Sequence, residues 1–195
     1  MKTLIKNTVL ATGIAVMSSS AFAADYMIDA SSAGAHAQID VAVSHLGISY
    51  SKGRFNNFEG TLSYDKNKPN DSKVSVTIDT ASFDSNHAKR DKHVKSGDFL
   101  DVAKYPEATF NSTKITDKGN NMLSVTGDFT LHGQTKSITF DAKKLGEGND
   151  PWGGYRVGFE ANTALKFSDF GIDAKGKIGT DEFKLNFFVE GVKKS

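Results

Sequence analysis

Polar and apolar residues alternate along most of this chain with a period of two, which is typical of β-strands because successive side chains point to opposite faces. The clearest alternating runs are residues 73–79, 123–131, 137–142, 156–161 and 183–189, and weaker ones lie near 35–43, 55–65 and 107–117. Short segments rich in Gly, Asn and Asp separate the runs, including a predicted hairpin turn at residues 146–154. About eight strands joined by short turns predict a single-domain, all-β, eight-stranded antiparallel barrel, because closure removes the exposed edges of a sheet.

One segment, residues 84–96, has no such alternation. It contains good helix formers, and Asp84 and Ser85 are residue types that cap helix N-termini. We predict a short helix over residues 86–96, between the third and fourth strands, that forms a lid across one mouth of the barrel. Four basic residues against Asp91 make this helix locally positive.

Alternation alone does not say which face of the sheet points inward. An outer-membrane barrel turns its apolar face to lipid and carries aromatic girdles, whereas the aromatic residues here are spread along the strands. We therefore expect the apolar face to point inward, and it carries almost no charge: Val76, Ile78, Phe110, Val125, Phe129, Phe140, Phe159, Leu165 and Phe187. An eight-stranded barrel is either filled by such side chains or holds one small ligand, and the pattern leaves both open.

The first 23 residues have the pattern of a secretion signal. Lys2 and Lys6 precede a short apolar run at residues 8–17, and Ala21-Phe22-Ala23 matches the signal peptidase motif. The run is shorter than the roughly 18 residues that a membrane-spanning helix needs. We expect cleavage after Ala23, which leaves residues 24–195 as an exported barrel domain without stable membrane insertion.

Charge, cysteine content and motifs exclude several function classes. Without Lys2 and Lys6 the chain has 22 basic and 23 acidic residues, and this balance disfavours a nucleic-acid partner. The chain has no cysteine, hence neither disulfide nor thiolate chemistry. It lacks the serine-elbow and zinc-protease motifs, so we predict no enzyme activity and no catalytic residue.

The candidate polar residues lie mostly in the predicted lid. His87, Asp91 and His93 suggest a metal site, but the two histidines are six residues apart, whereas helical zinc ligands lie four apart, so none is predicted. Arg90 has two open roles, a hydrogen bond to a ligand head group or a salt bridge that anchors the lid. His45, at a Leu-Gly bend, is either a buried, hydrogen-bonded histidine or a polar contact at the mouth.

Several motifs resemble those of the YceI family. They are residues 90–101 (RDKHVKSGDFLD), Tyr105-Pro106, residues 127–133 (GDFTLHG), 150–154 (DPWGG) and 169–172 (DFGI). The resemblance extends over essentially all of residues 24–195 and implies a lipocalin-like barrel, often periplasmic, that holds a polyisoprenoid or another long-chain amphiphile. The chain departs from the family at Val94, where relatives usually have Leu, and at residues 166–168, where many have an Arg-Ser pair.

The resemblance therefore favours a cavity over a packed core. It implies a periplasmic binding or carrier protein for an isoprenoid lipid such as a quinone, with no other cofactor, and a homodimer stays open. The nine apolar residues named above are expected to line the ligand site together with Phe99, His45, Arg90 and His93. The alternative is a barrel with a packed core that acts as a stress-related protein-interaction module without a ligand.

Overall fold

The computed structural model describes residues 24–29 and 36–194, so the predicted signal lies outside the described residues. The strands are β1 (Ala24–Asp29), β2 (Gln38–His45), β3 (Ser49–Phe55), β4 (Phe58–Tyr64), β5 (Lys73–Asp79), β6 (Phe83–Asp84), β7 (Glu107–Gly119), β8 (Met122–Leu131), β9 (Gln134–Asn149), β10 (Tyr155–Lys166) and β11 (Glu182–Lys193). The helices are α1 (Ala88–Val94) and α2 (Lys175–Ile178), and short 3-10 turns lie at Pro69–Asp71, Thr80–Ser82 and Phe167–Phe170. Within these ranges no helix is long and apolar enough to cross a bilayer.

Eight strands close into a ring of antiparallel pairs. The order is β1, β4, β5, β7, β8, β9, β10, β11, and β11 then pairs with β1. The first half of β11 also pairs with β2, from which β3 and β6 continue the sheet. The predicted eight-stranded antiparallel barrel is therefore confirmed.

Eleven strands form an eight-stranded wall because three wall positions are each shared by two strands. β1 and β2 both pair with β11, at its second and first half, and the other two cases are breaks within the described residues. β3 and β4 are separated by Asn56 and Asn57, and β5 and β6 by the Thr80–Ser82 turn. Phe55 and Phe58 flank the first break and are both buried, although strict alternation would place them on opposite faces. The two-residue break thus resets the phase of the strand and keeps an aromatic ring on the inner face at both sides.

The apolar face points into the barrel, as expected. In β8 every second residue from Leu123 to Leu131 is buried, and Val125 and Phe129 belong to the same continuous core. The hairpin turn predicted from Gly146 is partly wrong, because β9 continues to Asn149 and only residues 150–154 turn. Glycines at 146 and 148 pair with β10 as ordinary strand residues, so glycine content alone misplaced the strand end.

The helix α1 lies between β6 and β7, and therefore between the third predicted strand, which is β5, and the fourth, which is β7. Its N-cap is His87, whose Nδ1 accepts the backbone N–H of Arg90 at 3.2 Å. Asp84 and Ser85 were the wrong caps: the Ser85 hydroxyl instead donates to the Asp91 carboxylate at 2.6 Å. The helix is shorter than expected because the chain turns again after Val94.

The wall between β9 and β10 is hydrogen-bonded over only part of its height. Their pairing ends at Ala142 and Ala161, and residues 134–141 of β9 pair with β8 alone. The Phe167–Phe170 turn packs against β9 beyond that point, and His132 lies 3.1 Å from the carbonyl oxygen of Phe170. This seam lies towards the end of the barrel that carries α1.

Candidate ligand cavity

Two apolar cavities lie one behind the other inside the barrel. The outer cavity, of about 350 Å³, is lined on one side by residues of α1. The inner cavity, of about 100 Å³, is lined by strand residues and by Ser72, which lies just before β5. Ile78 and Phe129 line both, so the two side chains form a common partition. The outer volume lies in the range of roughly 300–1,000 Å³ found for small-molecule sites.

Aromatic rings form much of the inner cavity. The ring of Phe140 lies 5.5 Å from that of Phe110 and 5.7 Å from that of Phe187, measured between centroids. Tyr64 and Phe159 meet edge to face at 5.3 Å. The other lining residues are also almost all apolar, with Ser72 and Glu160 as the exceptions. Because a buried polar group needs a partner, an occupant of this cavity must be apolar.

The outer cavity has an apolar interior and a polar mouth. Its interior side chains include Phe55, Phe83, Phe99, Phe167, Phe183 and Leu185, all buried. Its polar lining residues are Ser44, His45, Ser51, Lys52, Arg90 and His93. They come from the β2–β3 hairpin on one side and from α1 on the other. The two cavities together therefore suit an amphiphile whose apolar part lies inward.

Asp98 connects the lid to α2. Its carboxylate lies 3.2 Å from Nε2 of His93 and 3.0 Å from Nζ of Lys177, which also donates to the Asp98 carbonyl at 2.8 Å. The hydrogen bond from Lys177, its positive charge and the contact with His93 lower the pKa of Asp98. The His93 ring also meets Phe99 edge to face at 5.0 Å. This side of the mouth is thus fixed by contacts at both ends of the lid segment.

A second contact fixes the beginning of the lid. The Asp91 carboxylate accepts the backbone N–H of Ser85 at 2.9 Å as well as its hydroxyl. The hydroxyl bond is the main reason that the pKa of Asp91 is lowered. His87, Asp91 and His93, whose residue types suggested a metal site but whose spacing did not, therefore have separate local partners.

Arg90 and His45 both line the mouth of the outer cavity. Among residues 24–29 and 36–194, the Arg90 guanidinium takes part in no salt bridge, so the lid is anchored there by Asp91 and Asp98. Arg90 is half-buried on the cavity wall. His45 is exposed at the mouth, so the alternative of a buried histidine is wrong.

Most of the residues expected at the ligand site lie on the cavity walls. The inner cavity is lined by Val76, Ile78, Phe110, Val125, Phe129, Phe140, Phe159 and Phe187, and the outer one by Phe99, His45, Arg90 and His93. Leu165 lines neither cavity and packs half-buried against the core, whereas the buried Phe167 of the following turn lines the outer cavity. That these side chains touch a ligand stays a prediction.

Sequence reasoning also missed several lining residues. Phe58, Leu62 and Tyr64 of β4 line the inner cavity, and the alternation that located the other strands contains them as well. Phe167 lies in a 3-10 turn, where a period of two carries no information about facing. A lining residue in such a turn, like Phe167, can therefore be found only from the folded structure.

Comparison with known proteins places the chain in a family. Residues 26–191 match the model of the YceI-like domain. The chain belongs to the YceI family. A UPF0312 protein of Vibrio campbellii is 54% identical to it over 193 residues, which cover 97% of this chain and the whole of that protein. The YceI motif at residues 90–101 forms most of α1 and the loop to Leu100, so this motif lies at the cavity mouth.

Solved structures share the YceI fold. The crystal structure of the Campylobacter jejuni YceI protein is 31% identical, with a TM-score of 0.69, over 78% of this chain and 91% of that one. A polyisoprenoid binding domain from Saccharophagus degradans, implicated in plant cell wall breakdown, is 13% identical. Its TM-score is 0.63, over 88% of this chain and 99% of that domain, and at this identity the likeness shows the fold alone.

Proposed function

We propose that this YceI-family protein is a periplasmic carrier that holds an isoprenoid or another long-chain amphiphilic lipid, such as a quinone, in the barrel. The observation that carries the proposal is the pair of apolar cavities in line behind a polar mouth. A chain that enters from the mouth meets the Ile78–Phe129 partition and then the aromatic rings of the inner cavity. The same cavities weigh against a fully packed core.

The free energy gained by burying such a chain is comparable with the cost of association. Each buried methylene contributes about 0.8 kcal/mol, so one five-carbon isoprene unit contributes roughly 4 kcal/mol before other terms. Association itself costs on the order of 4–15 kcal/mol. A ligand therefore needs several isoprene units, or an alkyl chain of similar length, to bind tightly, which favours long-chain lipids over short terpenes.

The mouth supplies the complementary polar groups. The guanidinium of Arg90 has five N–H donors suited to a phosphate or carbonyl oxygen, and Lys52 lies on the opposite, β3 side of the same cavity. The S. degradans domain, described as polyisoprenoid binding, supports this ligand class by its shared fold. The signal pattern at residues 1–23 supports export to the periplasm.

Extraction of the native protein tests the proposal. Protein recovered by osmotic shock is checked by intact mass for loss of residues 1–23, then extracted with organic solvent, and the extract is analysed by mass spectrometry. We expect one lipid class at close to one molecule per protein. The absence of any lipid, together with no binding of added ubiquinone or prenyl phosphate to the protein, would falsify the carrier proposal.

A variant of Arg90 tests the head-group role separately. We expect Arg90→Gln to weaken binding of a prenyl phosphate about tenfold or more, because a charge-assisted bond of about 1.5–3 kcal/mol is lost. The prenyl alcohol of the same length should bind nearly as before. Equal losses for both ligands would mean that Arg90 acts on the fold of the mouth and not on the head group.

A further inference from the structure

The tip of the β2–β3 hairpin, residues 45–50, presents apolar side chains to solvent. Leu46 is 70% exposed, Ile48 84% and Tyr50 53%. Single exposed apolar residues are common on protein surfaces, but three within five positions at the end of one hairpin are not scattered. His45 belongs to the same tip and also lines the outer cavity, so the tip borders the mouth.

The backbone of the tip makes Leu46 an unusual choice. Ile48 N–H donates to the His45 carbonyl at 3.0 Å, and Leu46 and Gly47 both have positive φ angles, +57° and +70°. Tight hairpin turns of this kind favour Asn or Asp followed by Gly, because these residues tolerate the left-handed region. A bulky Leu is strained there, so the exposed apolar side chain is held at the tip against the local backbone preference.

Basic residues lie on both sides of the mouth that the tip borders. The segment from Lys89 to Lys95 carries four basic residues and one acidic residue, Asp91, whose carboxylate is already bonded to Ser85. Lys52 lies on β3 directly after the tip. Nζ of Lys184 is 3.2 Å from the Tyr50 hydroxyl and 5.2 Å from its ring centroid, which places a further cation beside the tip.

We propose that this hairpin tip docks on the surface of an anionic lipid membrane and brings the mouth of the outer cavity against the bilayer. A small convex apolar tip with basic residues around it has the composition of a peripheral membrane contact, in which the apolar groups enter the interface and the cations face the lipid phosphates. Because it names where the ligand is exchanged, the inference rests on the proposed carrier function.

The other exposed apolar residues do not have this setting. Trp152 is 75% exposed, but it lies in the β9–β10 turn at the far end of β9 from the mouth. Its neighbours are Asp150, which accepts two backbone N–H groups of that turn, and Arg156, which is paired with Asp150 and Glu190. The cation of this turn is therefore already paired with two carboxylates, whereas Lys52, Arg90 and Lys184 form no salt bridge within residues 24–29 and 36–194.

Flotation with vesicles provides the first test. The purified protein is mixed with vesicles of 70% phosphatidylcholine and 30% phosphatidylglycerol or of phosphatidylcholine alone. We expect binding to the anionic vesicles, which weakens at 1 M salt as screening increases.

A double variant of the tip tests which residues make the contact. Leu46→Asp with Ile48→Asp should lower the partition coefficient at least about tenfold, because the loss of only two buried methylene-sized groups already lowers it by about that factor. The matched control is Leu145→Asp with Trp152→Asp, which adds the same charge at exposed positions away from the mouth and should bind as the unaltered protein does.

Fluorescence provides a second test, which reports which end of the bound protein enters the bilayer. Trp152 is the only tryptophan of the chain, so Tyr50→Trp with Trp152→Phe moves the fluorophore from the far end to the tip. Vesicles that contain brominated lipid should quench the moved tryptophan and leave the native one unquenched. Quenching of Trp152 instead would show that the opposite end docks and would overturn the proposal.

The remaining outcomes separate docking from lipid binding. Protein that carries extractable lipid but does not float with anionic vesicles overturns the docking proposal and leaves the carrier function intact. Protein that floats but carries and binds no lipid overturns the carrier function alone.

Sedimentation without vesicles tests whether a second copy of the chain covers the tip instead. A dimer that Leu46→Asp with Ile48→Asp converts to a monomer would assign the tip to that second copy and overturn the proposal.

Discussion

Val43→Phe tests directly whether the outer cavity is space or packed core. Val43 is a half-buried residue of β2 on the wall of the outer cavity, paired with Phe183 on β11 and Ser51 on β3. Valine and phenylalanine both suit strands, so the substitution changes little in the backbone preference. The new ring has to enter the cavity of about 350 Å³ or displace its neighbours.

The sign of the change in the free energy of unfolding depends on whether the new ring fills empty space or displaces its neighbours. Phe has four more side-chain carbons than Val, and at about 0.8 kcal/mol for each the free energy of unfolding rises by up to about 3 kcal/mol if the ring fills empty space. Overpacking of a filled core instead lowers it by about 1–3 kcal/mol. The matched control is Val157→Phe on β10, at a position only 1% exposed that lines neither cavity, and it should be destabilising.

Urea unfolding of lipid-free protein, followed by circular dichroism, measures both changes. Lipid has to be removed first, because a bound ligand adds its own stabilisation to the native state. In parallel, mass spectrometry of the native variant should find less bound lipid, since the ring occupies the ligand's path. If Val43→Phe destabilises the protein as strongly as Val157→Phe does, the outer cavity is not available space and the reasoning is refuted.

Three further predictions concern the partition, a turn and an ion pair. Phe129→Ala should lower the free energy of unfolding by about 3–5 kcal/mol in urea and shift the extracted lipids towards longer chains, because it joins the two cavities. Gly133→Ala should also destabilise in urea, by about 1–3 kcal/mol, because φ is +72° there and a Cβ would meet the Tyr105 ring at 2.6 Å; wild-type stability would contradict this. Hydrogen bonds from Arg156 and then from a backbone N–H lower the pKa of Asp150, so its contribution is present above the unfolded-state pKa of about 3.9 and is lost as pH falls through the folded-state value. The stability difference between the unaltered protein and Asp150→Asn should therefore shrink from pH 5 to pH 3 in thermal unfolding, and a constant difference would count against it.

The wall of the barrel could be predicted from sequence because its signal is local and repeated. In β8 the burial of Val125 and Phe129 follows from alternation alone. The prediction failed where the chain leaves that period. The break between Phe55 and Phe58 shifts the phase by one residue, and Phe167 reaches the cavity from a turn. Such positions depend on how distant segments pack, which no local pattern contains.

The contacts of the polar residues at the mouth could be predicted even less well from the sequence. The residue types of His87, Asp91 and His93 suggested a metal site that their spacing disfavoured, and the fold gives each of them a different partner. Lys177, which holds Asp98, is 79 residues away in the chain. An ion pair of that separation has no sequence signature, because it depends on closure of the barrel. The family resemblance located the mouth, but not which of its side chains are already engaged.

The seam between β9 and β10 has a mechanical consequence for the barrel. Elsewhere in the ring, widening the barrel means pulling hydrogen-bonded strands apart. Beyond Ala142 and Ala161 the same widening breaks no backbone bond between β9 and β10, since none joins them there. Within the described residues, the circumference of the barrel is therefore adjustable along this seam, which includes Ile138 and Phe140 of the inner cavity, whereas the paired residues 142–149 and 155–161 fix the width of the end away from the mouth.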